Sequence, residues 1–227
     1  MPDLPAGWSD CVSAQAAQAP RKEAAREEDI LIDLSAKVPY CYQGDSSNAR
    51  QAWRMCFSSS CAMLAEAINP GCLRNHPKRA GRQLDDFYRE TLESLRVGDT
   101  TEYTAQLATL RHFCPQWHFD FRTDCNWQTV RLQLQAGIPV PIGILHHGPV
   151  SAPSGGGHWI CAVGWEGGDA GKVIVHDPAG ELDIMGGRYL ASSPTRGQGQ
   201  RYSANGLGAR WMVGGGATGW AVLASKK

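Results

Sequence analysis

The chain has 227 residues, and 22 Lys+Arg balance 22 Asp+Glu, so its formal net charge is zero. That balance excludes the long-range attraction on which nucleic-acid binders and anionic-membrane binders depend, and no apolar run approaches the ~18 residues of a membrane span. The length suits one domain with a tail, and 26 Gly with 8 Trp suit a loop-rich mixed fold better than a helical bundle.

The first residues, Met1-Pro2-Asp3-Leu4-Pro5, have neither the basic start nor the apolar core of a signal peptide. This predicts cytoplasmic synthesis, with the product kept there or exported by another route. Residues 1–29 are rich in Ala, Gln, Pro and charge and lack a strong apolar face, so they are expected to be a tether to a domain over 30–227. Short extended segments are expected at 30–34 and 37–42. A helix is expected to follow Cys56, with Ser58, Ser59 and Ser60 offering capping hydroxyls and Asn69-Pro70-Gly71 ending it. Helical spacing of Leu84, Phe87, Tyr88, Leu92 and Leu95 predicts a second helix over 83–95. A turn at Gly98–Thr101 leads into a third, through Leu110, and a fourth spans 126–136 from a cap at Asn126. The second half reads as strands at 138–145, 158–165, 172–176, 209–213 and 218–224, separated by loops dense in Gly, Pro and Ser at 146–157 and 192–208. Helices first and strands second predict an α+β domain, its N-terminal helices packed on a C-terminal antiparallel sheet.

Chemistry enters through one hairpin and one cysteine. A two-residue turn at Gly167-Gly168 would set His158 directly opposite Asp177, where the carboxylate can accept from the imidazole and fix its tautomer. A longer turn through Gly171 would shift that register, and the alternative is that His158 begins a strand at a solvent edge while Asp177-Pro178 starts a turn. Cys56 stands at the first helix's N-terminus, where unpaired backbone N–H groups favour a thiolate; Cys61 lies within the apolar run and reads as core. The eight cysteines of the chain are irregularly spaced without a Cys-x-x-Cys pair, which predicts mostly reduced thiols rather than a disulfide scaffold or a structural zinc site. A metal site built from His146, His147, His158, His176 and Cys161 is disfavoured, because His158 and His176 have opposite strand parity.

The segment Val38-Pro39-Tyr40-Cys41-Tyr42-Gln43, the run Cys56…Ser58-Ser59-Ser60-Cys61-Ala62-Met63-Leu64, the triplet Gly157-His158-Trp159 and the turn Asp177-Pro178-Ala179-Gly180 occur in that order. Together they resemble a papain-like cysteine peptidase domain of the bacteriocin-processing (double-glycine) peptidase-like family, over about residues 37–190. The resemblance implies Cys56 as nucleophile, His158 as general base and acid, Asp177 orienting His158, and the Gln43 amide joining the Cys56 backbone N–H as oxyanion donor. It implies no metal and no organic cofactor. Where the family often has Cys-Gly-Pro-Thr, this chain has Cys-Phe-Ser-Ser, so Phe57 is expected to reshape the pocket.

Further segments resemble phage-encoded members of the group: Gly98–Thr101, His146–Val150, Gly155–Trp159, and Arg210-Trp211 with Gly219-Trp220-Ala221. They imply a lysis or virion-associated enzyme that cuts a peptide or amide bond in peptidoglycan. The alternatives are a protease that processes a phage or host protein, and a non-catalytic structural or wall-binding module of a virion. Phage particle proteins are implied partners, whereas nucleic acid and membrane are not. Trp159 either lines a groove for sugar or peptide or packs on the sheet, and His147 either meets substrate or is a surface histidine.

Overall fold

The computed structural model describes residues 31–227, so the expected tether over 1–29 lies outside the described residues. Nine strands and five α-helices alternate along these residues: β1 (Leu31–Asp33), α1 (Cys56–Ile68), α2 (Leu84–Leu95), α3 (Tyr103–Phe113), β2 (Trp117–Cys125), α4 (Trp127–Gln135), β3 (Val140–His147), β4 (Ser154–Glu166), β5 (Lys172–His176), β6 (Glu181–Asp183), β7 (Arg188–Ala191), β8 (Gln200–Ser203), α5 (Ala204–Trp211) and β9 (Gly219–Lys226).

The main sheet is antiparallel, in the order β2-β9-β3-β4-β5-β8, with β1 continuing along β4 beyond β3; β6 and β7 form a separate hairpin. Successive strand residues point to opposite faces, and each face is covered. Trp159, Cys161 and Val163 of β4 join the core built by α1, α2 and α3. Ile160 and Ala162, with Val173 and Val175 of β5, pack on the other side against Val130 and Leu134 of α4 and Leu207 and Trp211 of α5. Helices 1–3 thus lie on the sheet as the composition order implied, and α4 and α5 add a second layer.

Local differences from expectation have identifiable causes. Residues 37–42 pair with no strand; the chain turns at Leu34, which accepts from the Lys37 and Val38 N–H groups. Of the segment 209–213 expected as a strand, residues 209–211 end α5 and 212–213 follow it; the helix forms despite Asn205, Gly206 and Gly208 being weak helix formers, because Ser203 caps Gly206 N and the helix buries Leu207 and Trp211. Strand β2 was not anticipated, although its pairing with β9 buries Phe119 and sets Phe121 against Trp220. The stretch expected as a loop over 146–157 is half strand, leaving 148–153 as the connection, and 192–208 contains β8 and the start of α5.

Candidate active site

Helix α1 starts at Cys56 without a side-chain cap; Met55 is its N-cap residue, and Ser59 N–H donates to Met55 O at 2.7 Å. The three serines do not cap it. All are buried, small enough to let neighbouring helices approach, and two are hydrogen-bonded across: Ser59 Oγ donates to Asp85 Oδ2 on α2 at 2.7 Å, and Gln106 Nε2 on α3 donates to Ser58 Oγ at 3.0 Å. The thiol-bearing end of α1 is thereby fixed to two other helices. Burial, ahead of the Asp86 and Asp45 charges, pushes Asp85 up to about 6 even though Ser59 lowers it.

The His158–Asp177 pair forms, but not by the expected register. The β4–β5 turn runs over 167–171, with Gly171 N–H donating to Gly168 O, and a bulge between Ala162 and Gly164 leaves Cys161 facing His176. Asp177 therefore lies just past the end of β5 rather than directly opposite His158. Its carboxylate reaches back because the chain turns there: Asp177 N–H donates to Gly197 O at 2.8 Å, and Ala179 N–H donates to Asp177 Oδ1 at 2.8 Å. His158 Nε2 meets the same Oδ1 at 2.7 Å, with both residues buried. Gly197 permits this close approach, since a Cβ there would collide with the Asp177 carbonyl.

Cys56 is half-buried and close enough to His158 to favour its charged form. With Nε2 committed to Asp177, Nδ1 is the nitrogen that remains for the thiol. Burial alone would lower the His158 pKa, but the Asp177 charge and hydrogen bond, reinforced by Cys56, raise it to about 10. Cys61, the rival thiol, is fully buried and desolvation holds it well above the ordinary thiol range.

A ring stack holds the two halves together. Phe57, next to Cys56, lies parallel to Trp159, next to His158, with centroids 3.8 Å apart and planes within 2°. Phe57 is 2% exposed and Trp159 8%, so the stack belongs to the core between α1 and β4 and Phe57 shapes the site from beneath. Gln43 is buried in a single 3-10 turn, Gln43–Asp45, and its N–H donates to Pro178 O at 2.9 Å, while Tyr40 Oη donates to Asp177 O at 2.9 Å. The segment carrying Gln43 is thus laced to the turn carrying Asp177, and Gln43 Oε1 is buried without a partner among the described residues.

Tyr189 escaped the sequence reading. Its Oη donates to Asp177 Oδ2 at 3.1 Å, and its ring packs edge-on to His158, with centroids 5.9 Å apart. Burial first, then Asp177, drives the phenol well above its usual range, so it remains a donor. Only the spacing from Asp177, across a hairpin with no periodic signal, could have pointed to it. His146 stands 5.2 Å from His158 between ring centroids. Burial and the His158 and His147 charges lower its pKa to about 4, so it is neutral beside a charged His158. His147 is exposed, its ring tilted against His146 and lying over Gly155, and it makes no hydrogen bond to Cys56, His158 or Asp177. His176 is buried with both nitrogens engaged, Nδ1 accepting from Gly199 N–H and Nε2 contacting Val38 O. Among the described residues, no group of three or more His, Cys, Asp and Glu is placed to hold a metal ion, and no helix is long and apolar enough to cross a membrane.

A buried imidazole bonded to a carboxylate, with a half-buried thiol at a nearby helix N-terminus, is chemistry suited to nucleophilic attack and proton transfer. No protein-family model matches the chain, and no curated protein matches it. Its structure is similar to the crystal structure of a Bacillus anthracis protein described as a candidate C39-like peptidase, with a TM-score of 0.53 and 14% identity over 88% of this chain and 99% of that one. The architecture, α-helices followed by an antiparallel sheet, matches that structure.

Proposed function

We propose that the protein is a cysteine hydrolase of peptide or amide bonds, with Cys56 as nucleophile, His158 as acid and base, and Asp177 as the orienting carboxylate. The observation that supports this reading is one buried imidazole held by the Asp177 carboxylate at 2.7 Å, on a strand whose next residue, Trp159, stacks on the chain neighbour of Cys56. The Cys56 sulfur anion attacks the substrate carbonyl carbon; the S–C bond forms and the carbonyl π pair moves to oxygen. The N–H groups at the start of α1 and the Gln43 amide donate to that oxyanion. His158 passes its proton to the departing amine as the C–N bond breaks. Neutral His158 then removes a proton from water, which attacks the thioester; the C–S bond breaks, and the thiolate and imidazolium are restored. The products are a carboxylic acid and an amine.

Peptidoglycan is the substrate that the sequence resemblance favours, and a polypeptide is the alternative. Wild type and Cys56→Ala are each incubated with purified peptidoglycan and with unfolded casein, and new termini are read by mass spectrometry. Wild type is expected to release products from one of the two, and Cys56→Ala to lose at least about 10³-fold in rate. Equal activity of the two proteins removes the mechanism.

A further inference from the structure

Among the described residues, Cys56 and Cys72 are the thiols that solvent reaches; Cys41, Cys61, Cys114, Cys125 and Cys161 are buried. Cys56 is the proposed nucleophile, and Cys72 has no part in that chemistry. Cys72 lies in the turn that follows α1, and Cys114 lies just past the end of α3.

The two thiols converge on one atom. Cys72 Sγ contacts the Ala65 carbonyl oxygen at 3.5 Å, and Cys114 Sγ contacts the same oxygen at 3.6 Å. That oxygen also accepts from Asn69 N–H at 3.0 Å as the last turn of α1 closes. A carbonyl offers two lone pairs, so three donors crowd one acceptor and the two sulfurs are neighbours around it. The Cys114 thiol, ahead of burial, drives the Cys72 pKa well above the usual thiol range, as a close neighbour does.

Contacts that involve no sulfur hold the two backbones together. Asn69 Nδ2 donates to Phe113 O at 2.8 Å, and Cys72 N–H donates to Asn69 O at 3.0 Å. The turn bearing Cys72 is thus bonded to the residue before Cys114. Glu66, 5% exposed, pins the same turn by accepting from the N–H groups of Gly71, Leu73 and Arg74 at 2.9–3.1 Å. A disulfide forms without backbone movement only where two such chain segments already lie side by side.

We infer that Cys72 and Cys114 are a dithiol that a small disulfide of the glutathione type oxidises to an intramolecular disulfide, stapling the end of α1 to the end of α3. The Cys72 thiolate, the accessible one, attacks a sulfur of the reagent; the reagent's S–S bond breaks and one glutathione thiolate leaves. The Cys114 thiolate then attacks the Cys72 sulfur of the mixed disulfide, and the second glutathione thiolate leaves. The protons of Cys72 and Cys114 end on the two glutathiones, so two protein thiols are oxidised as one reagent disulfide is reduced. The new bond closes a loop of about 40 residues around α2, which restricts the unfolded chain. Cys56 stands at the other end of the 13-residue α1, ~20 Å away along the helix, and stays reduced.

The full chain is tested in a glutathione–glutathione disulfide buffer at mildly alkaline pH, which offsets the high Cys72 pKa. One sample is incubated folded and one is refolded from urea in the same buffer. After alkylation and digestion without reductant, mass spectrometry is expected to find the Cys72 and Cys114 peptides joined, about 2 Da lighter than their sum, and Cys56 alkylated. The melting midpoint is expected to rise by about 5–10 °C over the reduced protein. Cys72→Ser is expected to lose both the joined peptide and the rise, while melting like wild type when both are reduced. The peptide map of wild type stands without that variant. Cys72 left as a thiol or as a lasting glutathione adduct in both samples overturns the inference. So does a bond from Cys72 to any other cysteine, or a joined pair with an unchanged midpoint.

Discussion

His158 is pulled in opposite directions by burial, which disfavours its charge, and by Asp177, which demands it; the carboxylate wins and the pKa rises to about 10. A folded-state value above the ordinary 6.5 means that the stability supplied by the imidazolium–carboxylate pair is complete below pH 6.5 and is lost as pH climbs through about 10. Urea unfolding of wild type and His158→Gln is therefore expected to show a stability gap that narrows steadily from pH 6.5 to 10. The alkaline limb of the activity profile is expected in the same upper region, because the proton given to the leaving amine is then missing. Asp177 is itself held by two neighbours, Ala179 N–H and Tyr189 Oη. Asp177→Asn should cost on the order of 10³–10⁴-fold in kcat, since an amide NH2 in place of the carboxylate would favour the wrong imidazole tautomer. Tyr189→Phe should cost about 3–10-fold in kcat with KM unchanged, and nothing further in an Asp177→Asn background, because it acts only by aiming that carboxylate. Steady-state kinetics on the four proteins checks this, and a KM effect from Tyr189→Phe would argue for direct contact with substrate.

Between elements, the decisive contact is the Phe57–Trp159 stack, which ties the start of α1 to β4 and so ties Cys56 to His158. Phe57→Ala is expected to cost about 3–5 kcal/mol in stability, read by denaturant unfolding. It should lower activity by more than the unfolded fraction accounts for, because Cys56, the proposed nucleophile, loses its lateral support. Phe57→Leu, which keeps most of the volume, should recover most of the stability. The elements also divide by how readable they were. Helix α4 announces itself through Asn126, whose Oδ1 accepts from Thr129 N–H at 3.0 Å, and α2 through its spaced apolar residues. Helix α5 and the β6–β7 hairpin carry no such periodicity; they exist because they bury Leu207, Trp211 and Leu182 against a sheet already formed. Tyr189 sits on that hairpin, which is why its role was hidden.

Across the whole molecule, Arg210 joins parts that are far apart in the chain, linking α5 to the end of β3 and to the β6–β7 turn through four carbonyls. Burial lowers its pKa, with Asp183 opposing, and the geometry depends on a planar fork with several donors. Arg210→Lys cannot reach the same set and is expected to lose about 2–4 kcal/mol in thermal unfolding. Unchanged stability would mean that the carbonyls find water without cost.

The identity and order of Gln43, Cys56, His158 and Asp177, and the division into early helices and late strands, could be read directly, because residue type and local periodicity are carried by short stretches of chain. Which carboxylate oxygen meets His158, that a five-residue turn and a bulge deliver it, that Tyr189 steadies it, and that Phe57 lies on Trp159 could not. Those outcomes depend on contacts between segments 12 to more than 100 residues apart, and such contacts arise only when apolar faces from separate elements are buried together on the two sides of one sheet.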